Sequence, residues 1–368
     1  MKTRLLTIYF AFCSIFGGVL LPNLRDLGPV VLLGFGIVLF FLAAYTYSHN
    51  TKPAMMGFFI PIWAAMIIVS IANGGIHIVP LVFNLSAAAM FFVAAKVGED
   101  TIKTALSWAG WFWLLTLPIL FFTRHYLDDP SLVMDRNIVG FWGIIFTIAA
   151  LTTQKKWYYA LPFIAVTILS TSRGGVIGLT AAVLVFYRPR VPAKQVAAWV
   201  LLGCLAVFGL IAMRPASVAT RIPIYYQSIE SFLSHPVYGV GVNGLYENKK
   251  LTSVRYKNGN FYQPTQEQEY VRVQVLGGTV AIKYFPHAHN GLINYLAETG
   301  LVGLAGLGLG LWWLWRNKDN INFKGWQWAI IGGTLVHSLV DWPLWYYGPL
   351  VVFMAVAGTV EKMSDGTN

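Results

Sequence analysis

Long apolar runs separated by short polar joints occupy the chain up to about residue 213. They stop for some 75 residues and resume from about 289 to 360. A helix that crosses a bilayer needs about 20 predominantly apolar residues. On that measure the pattern predicts twelve helices, near 5–21, 29–48, 54–72, 78–96, 105–122, 138–153, 157–172, 174–187, 196–213, 289–315, 326–344 and 346–360. The first follows Lys2 and Arg4 and superficially resembles a signal peptide. It lacks a small-residue cleavage site and further spans follow, so it is read as a retained helix. The seventh and eighth are short, which tilt or burial within protein accommodates.

The polar stretch between the ninth and tenth helices, about 214–288, has a pattern of its own. From Ser217 to Ser234, the residues Ile222, Tyr225, Tyr226, Ile229, Phe232 and Leu233 recur at three- and four-residue spacing. That predicts an amphipathic helix lying on a membrane surface. A Gly-rich turn follows at His235-Pro-Val-Tyr-Gly-Val-Gly241. Two hairpins are then expected, one turning at Asn258-Gly259 and one alternating around Gly277-Gly278. The chain reads as a single all-α, polytopic membrane domain over 1–368, with this loop as its large insertion.

Composition agrees. The 368 residues are 57% hydrophobic and 11% charged, with a mean hydropathy of +0.60, which excludes an ordinary soluble domain. Cys13 and Cys204 both lie in apolar runs and imply no disulfide framework. The net charge of +11 would suit nucleic acid, but its distribution points to a membrane instead. With the N-terminus inside, fourteen basic residues, among them Lys96, Lys155, Lys156, Arg316 and Lys324, fall in cytoplasmic segments. The short outer joints hold four: Arg25, Arg124, Arg136 and Arg173. This asymmetry predicts both termini inside and the 214–288 loop outside.

The polar groups left on the outer face are of kinds that work together. They are Arg173, Arg214, Arg221, His287, His289, His337 and Asp341. Guanidinium groups grip phosphate or diphosphate through paired donors. An imidazole takes a proton from a hydroxyl near neutral pH. Together they suit transfer of a group from a lipid-linked diphosphate to a hydroxyl acceptor, with arginines supplying the positive charge and no metal or other cofactor required. His287 and His289 lack a third ligand for a metal site. His337 and Asp341, one helical turn apart, are expected to satisfy each other. Gly300 and Gly303 are expected to give one helix a smooth face for close packing.

His289-Asn290, nine residues, then Gly300-Leu-Val-Gly303 resembles the signature of bacterial O-antigen ligases, shared more loosely by O-antigen polymerases and protein O-oligosaccharyltransferases. Arg221 with His235–Gly241 is similar to the motif these families carry early in their large periplasmic loop, and Thr171-Ser-Arg-Gly-Gly175 to their polar helix-end segment. His337-Ser-Leu-Val-Asp-Trp-Pro-Leu-Trp-Tyr346 resembles a late segment of the protein-glycosylating branch.

The resemblance covers the chain from about residue 158 onward. It implies an inner-membrane enzyme whose site faces the periplasm and which transfers glycan from undecaprenyl diphosphate with inversion, independently of metal. The acceptor is lipid A–core, another glycan or a protein. In that reading His289 is catalytic, and Arg221, Arg173 and a second loop arginine bind diphosphate. For the last role Arg272 and Arg255 are candidates, with Lys283 nearer the histidine, and none stands in the family's motif. Asn290, His287, His337 and Asp341 support the site.

Ligation of O-antigen is favoured. Polymerisation of O-antigen or capsule and protein O-glycosylation are the alternatives. An anionic-lipid transporter or flippase is the reading from another class. It is disfavoured because the charges gather at one surface and no internal repeat is visible.

Overall fold

The computed structural model describes residues 2–16, 54–74, 78–126, 136–187, 221–247, 270–283 and 288–362, less a few positions within them, and scattered residues between 192 and 209. The expected helix at 29–48, the Asn258-Gly259 hairpin, Arg214, Arg255 and His287 lie outside the described residues.

The described chain is predominantly helical. Its helices are α1 (Lys2–Phe16), α2 (Met56–Ala72), α3 (Ile78–Val97), α4 (Glu99–Tyr126), α5 (Arg136–Thr153), α6 (Leu161–Leu169), α7 (Arg173–Tyr187), α8 (Arg221–Ser234), α9 (Gly291–Arg316), α10 (Gly325–Ser338) and α11 (Tyr347–Gly358). Two of them, α5 and α9, are long and apolar enough to cross a membrane. α2, α7 and parts of α3, α6 and α11 are apolar but shorter, so among the described residues the expected count of twelve spans is not reached. The seventh predicted helix is a 3-10 turn, Trp157–Ala160, running into α6. The eleventh stops at Ser338 rather than 344, because Pro343 starts a separate 3-10 turn.

A pair of antiparallel strands, β1 (Tyr270–Val275) and β2 (Gly278–Lys283), lies in the large loop. Val275 pairs with Gly278, so Gly278 of the expected Gly277-Gly278 centre belongs to β2.

Packing groups α10 with α7 and α5, α9 with α2, and α11 with α3. Small residues set the close approaches. A methyl group on Gly140 of α5 would lie 2.8 Å from the Cα of Gly175 of α7, and one on Gly178 would lie 2.7 Å from the Gly333 carbonyl oxygen of α10. Where apolar surroundings give helices no hydrophobic reason to associate, such dispersion contact holds them together.

α8 packs on α9 through a face that carries serines. Ile224, Ser228 and Ser231 are buried, while Ile229 and Leu233 are exposed. Buried serines are satisfied within the helix, Ser228 Oγ donating to the Ile224 carbonyl at 2.8 Å and Ser231 Oγ to that of Gln227 at 2.9 Å. This leaves large apolar side chains on the outward face, as a helix at a membrane interface requires.

The largest departure from expectation is in α9. Gly300 has φ 61° and ψ −154°, so the helix is broken there and presents no continuous glycine face. The Gly-rich turn at 236–241 fills the break. Val240 N and Gly241 N donate to the carbonyls of Ala297 and Glu298 at 2.9 and 3.0 Å, and Leu301 N and Val302 N donate to those of Pro236 and Val237 at 2.8 and 3.0 Å. These four bonds satisfy the peptide groups that the break releases, which would otherwise be costly to bury.

Below the break, α9 runs along α2, with Gly306 against Pro61 and Ala65 and Gly310 against Phe58. The break is therefore level with the C-terminal end of α2. There Asn73 caps α2 and its Nδ2 donates to the Tyr238 carbonyl at 3.3 Å. Residues 291–299 thus stand beyond the stretch that packs along α2.

The opposite end of the bundle is held by a charge cluster. Glu99 Oε1 accepts from Trp326 Nε1 at 3.0 Å and from Lys103 Nζ at 2.8 Å, and the carboxylate also pairs with Lys324. Burial pushes the Glu99 carboxyl up, but hydrogen bonds and charge from Lys103 and Lys324 outweigh it and hold the group below its ordinary value. A depressed carboxyl stabilises the fold above its unfolded pKa and loses that contribution as pH falls through the folded pKa. Glu99→Gln is therefore expected to lower stability at pH 7 by about 2 kcal/mol, the worth of a hydrogen bond to a charged group. The deficit should fade as the pH drops below about 4. Thermal unfolding of both proteins across that range checks it, and a deficit that does not change with pH would contradict the assignment.

Candidate active site

His289 sits in the two-residue lead-in to α9, and local chemistry fixes it there. Asn290 is extended and its Oδ1 accepts from Ile293 N at 3.0 Å, a cap for the orphan amides of the first turn. The Ala288 amide donates to Asn294 Oδ1 at 2.9 Å. Between these anchors His289 is held at φ 50°. Among the described residues it shares a left-handed backbone, for a non-glycine, with Thr171 alone. Such strain persists where the surroundings over-determine it, and it gathers at functional sites.

The lead-in meets the turn after α10. Val340 N and Asp341 N both close on the His337 carbonyl, at 2.9 and 3.0 Å, and the chain leaves the helix. Three consecutive residues of that turn then take three contacts. Leu339 O accepts from Asn290 Nδ2 at 2.7 Å, Val340 O accepts from an Arg221 guanidinium nitrogen at 2.6 Å, and Asp341 Oδ1 lies 3.0 Å from His289 Nδ1.

His289 and Asp341 are both buried. A carboxylate on Nδ1 fixes the proton there and leaves Nε2 with the lone pair, the tautomer a general base needs.

The expected pairing of His337 with Asp341 is not formed. It presumed a helix continuing through residue 341, whereas the chain has already turned and Asp341 faces His289. His337 is fully buried, and among the described residues neither ring nitrogen has a hydrogen-bond partner. Its ring edge packs on the first turn of α7, where a methyl group on Gly174 would lie 2.8 Å from Nε2. The charges of Asp341 and Arg221 both act on it.

Arg173 opens α7 and is half-buried. Ser172 caps that helix, its Oγ accepting from Gly175 N at 2.9 Å and donating to Asn137 Oδ1 at 2.9 Å. Arg221, His289, Asn290, His337 and Asp341 are thus joined by direct contacts or charge, and Arg173 adjoins them through Gly174. Arg272 stands on β1 opposite Ala281. Gly300 and Gly303 lie below the site, Gly300 as the break and Gly303 against Thr299 and Tyr295.

Two participants were not singled out by sequence, and a third has a partner that was not expected. Asp341 was a candidate, but not as the partner of His289. Asn73 belongs to the first half of the chain, which carries no motif. Arg136 read as an outer-joint charge, yet a guanidinium nitrogen lies 3.5 Å from Thr171 Oγ1, beside Arg173. Only the register of α5 against α7 reveals it.

No curated protein matches the chain. A family model described as O-antigen ligase matches residues 158–308, a stretch that holds the Thr171–Gly175 segment, Arg221, the 236–241 turn, His289 and both glycines. That match falls on the segments that build the site, so over this stretch the chain is similar to the O-antigen ligases, a family of integral membrane proteins.

Proposed function

We propose that this protein transfers a glycan from undecaprenyl diphosphate to a hydroxyl acceptor at the periplasmic face of the bacterial inner membrane, with lipid A–core as the favoured acceptor. The observation that carries this reading is the His289–Asp341 pair at 3.0 Å with Arg221 bound to the same turn. It unites a base, the group that orients it and a phosphate-binding side chain.

The acceptor hydroxyl attacks the anomeric carbon from the face opposite the diphosphate. As its O–C bond forms, the bond from carbon to phosphate oxygen breaks. The hydroxyl proton passes to His289 Nε2, and Asp341 stabilises the imidazolium. The electron pair leaves with undecaprenyl diphosphate, whose charge Arg221 and Arg173 offset. The configuration at the anomeric carbon inverts in one step. Donor lipid enters laterally between helices.

One observation favours a second reading. Asp341 lies in the segment that resembles the protein-glycosylating branch, and it is the residue that orients the base. Protein O-glycosylation is therefore the runner-up.

The test supplies the purified protein with a defined undecaprenyl-diphosphate glycan and, separately, lipid A–core, a second lipid-linked repeat or pilin. Sugar is expected on lipid A–core without an energy source or ion gradient. Sugar on pilin alone selects the second reading, and transfer to none of the three overturns the proposal.

A further inference from the structure

His289 keeps a left-handed backbone at φ 50°, which a residue with a Cβ adopts only where its neighbours enforce it. Side chains on a helix lean toward its N-terminus. The α9 side chain that leans back onto this lead-in is Asn294, and it grips both neighbours of His289. Its backbone N donates to the Asn290 carbonyl at 2.9 Å, within the first turn of the helix. Its Oδ1 accepts from the Ala288 N–H at 2.9 Å. In a capping box the side chain at the third helical position reaches back to the amide of the cap. Here the fourth position reaches an amide two residues earlier, so the ring that it closes contains His289.

The contact is buried on both sides, with Ala288 fully enclosed and Asn294 1% exposed. Losing Oδ1 would orphan the Ala288 amide. The other end of the same carboxamide is different. Asn294 Nδ2 is buried, and among the described residues it has no hydrogen-bond partner. The Ala288 N–H needs an oxygen, which fixes which end is which. A leucine of similar shape would remove one buried orphan, Nδ2, and create another, the Ala288 amide. Those two costs are of one kind and offset each other. Fold stability therefore gives asparagine no clear advantage here. What asparagine adds is position: the lead-in stays in the strained form that sets His289 Nδ1 3.0 Å from Asp341 Oδ1.

We propose that Asn294 is a positioning residue for His289, holding the strained lead-in so that the imidazole stays on Asp341 and Nε2 stays aimed at the acceptor hydroxyl. Asn294 acts through Ala288 and touches neither donor nor acceptor. Released from it, His289 relaxes to an ordinary backbone conformation and its ring leaves Asp341. The reaction that this serves rests on the functional reading above.

The experiment uses purified full-length protein in nanodiscs and two readouts. The first needs no turnover: the rate at which diethyl pyrocarbonate modifies His289, followed by peptide mass spectrometry. His235, exposed just beyond α8, is the internal control. Asn294→Leu should raise the His289 rate several-fold and leave that of His235 unchanged, with a thermal midpoint close to that of the parent. Asn294→Ala, which needs no extra room, should do the same. The second readout is glycan transfer. Both variants should lose kcat about tenfold or more, because a misplacement of about 1 Å at a reacting group costs up to about 10²-fold. The donor KM should stay within about twofold, as for an interaction made only in the transition state. Asn294→Asp keeps an oxygen for the Ala288 amide and should retain several times the kcat of Asn294→Leu. In a His289→Ala background Asn294→Leu should cause no further loss, since the group it positions is gone.

Unchanged His289 modification in both Asn294→Leu and Asn294→Ala overturns the proposal, whether or not the parent transfers sugar. So does an equal fractional loss of transfer from Asn294→Leu with and without His289, which would make Asn294 a support of the fold alone.

Discussion

Replacing His289 by alanine is expected to lower glycan transfer by about 10³-fold, the range a positioned general base contributes. The protein should still insert, fold and bind donor lipid. Its Nδ1 lies 3.0 Å from Asp341 Oδ1, a contact that orients the imidazole. Asp341→Asn keeps the shape of the pair but removes the charge that steadies the imidazolium. A loss of about 10²-fold is expected, at the lower end of the same range.

The two residues act as one unit, and their effects should not add. The double variant His289→Ala, Asp341→Asn is expected to be no slower than His289→Ala alone. Transfer assays with one defined donor and acceptor, run beside thermal unfolding in detergent, separate lost chemistry from lost fold. Undiminished transfer by His289→Ala removes this residue from the mechanism. Additive losses remove Asp341 as its orienting partner.

The motif residues were legible before the fold was, and the reason is local. His289-Asn290 opens a helix, and an asparagine cap followed by an apolar run is a pattern a short window contains. Ser172 before Arg173-Gly174-Gly175 is another. Long-range pairings were not legible. Asp341 is 52 residues from His289, and whether it faces His337 or His289 depends on where α10 ends. Helical periodicity favoured the nearer histidine, and two backbone bonds to the His337 carbonyl decided otherwise. Arg136 could not be found from its own neighbours, because its meaning comes from Gly140 and Gly175 touching across two helices. The same limit hid the relation between two motifs that look independent in sequence. The turn at 236–241 and the glycines after His289 are two halves of one structure, and only the break at Gly300 joins them.

That junction carries the second large prediction. Gly300 combines φ 61° with ψ −154°, a region essentially reserved for glycine, where another residue costs about 1–3 kcal/mol in backbone strain. Space is lacking as well. A methyl group on Gly300 would lie 2.5 Å from Gly239 N and 2.6 Å from the Val237 oxygen, both backbone atoms that no side-chain rotation can move aside. Gly239, at φ 62°, faces back, and a methyl there would lie 2.5 Å from the Glu298 oxygen. Gly300→Ala must then either expel the 236–241 turn or straighten the helix. Either course removes the four backbone bonds that close the break.

Gly308 provides the contrast within the same helix. It is helical and exposed, and a methyl added there meets nothing within 4 Å. Gly308→Ala is expected to be neutral or to gain up to about 1 kcal/mol from helix propensity. Gly300→Ala and Gly239→Ala should each lose about 3 kcal/mol or more, strain and overpacking together. Because residues 291–299 stand on this junction and position His289, transfer should fall with stability in both. Thermal unfolding of the three variants decides it. A Gly300→Ala protein as stable as Gly308→Ala would mean that α9 runs unbroken and that the turn does not dock on it.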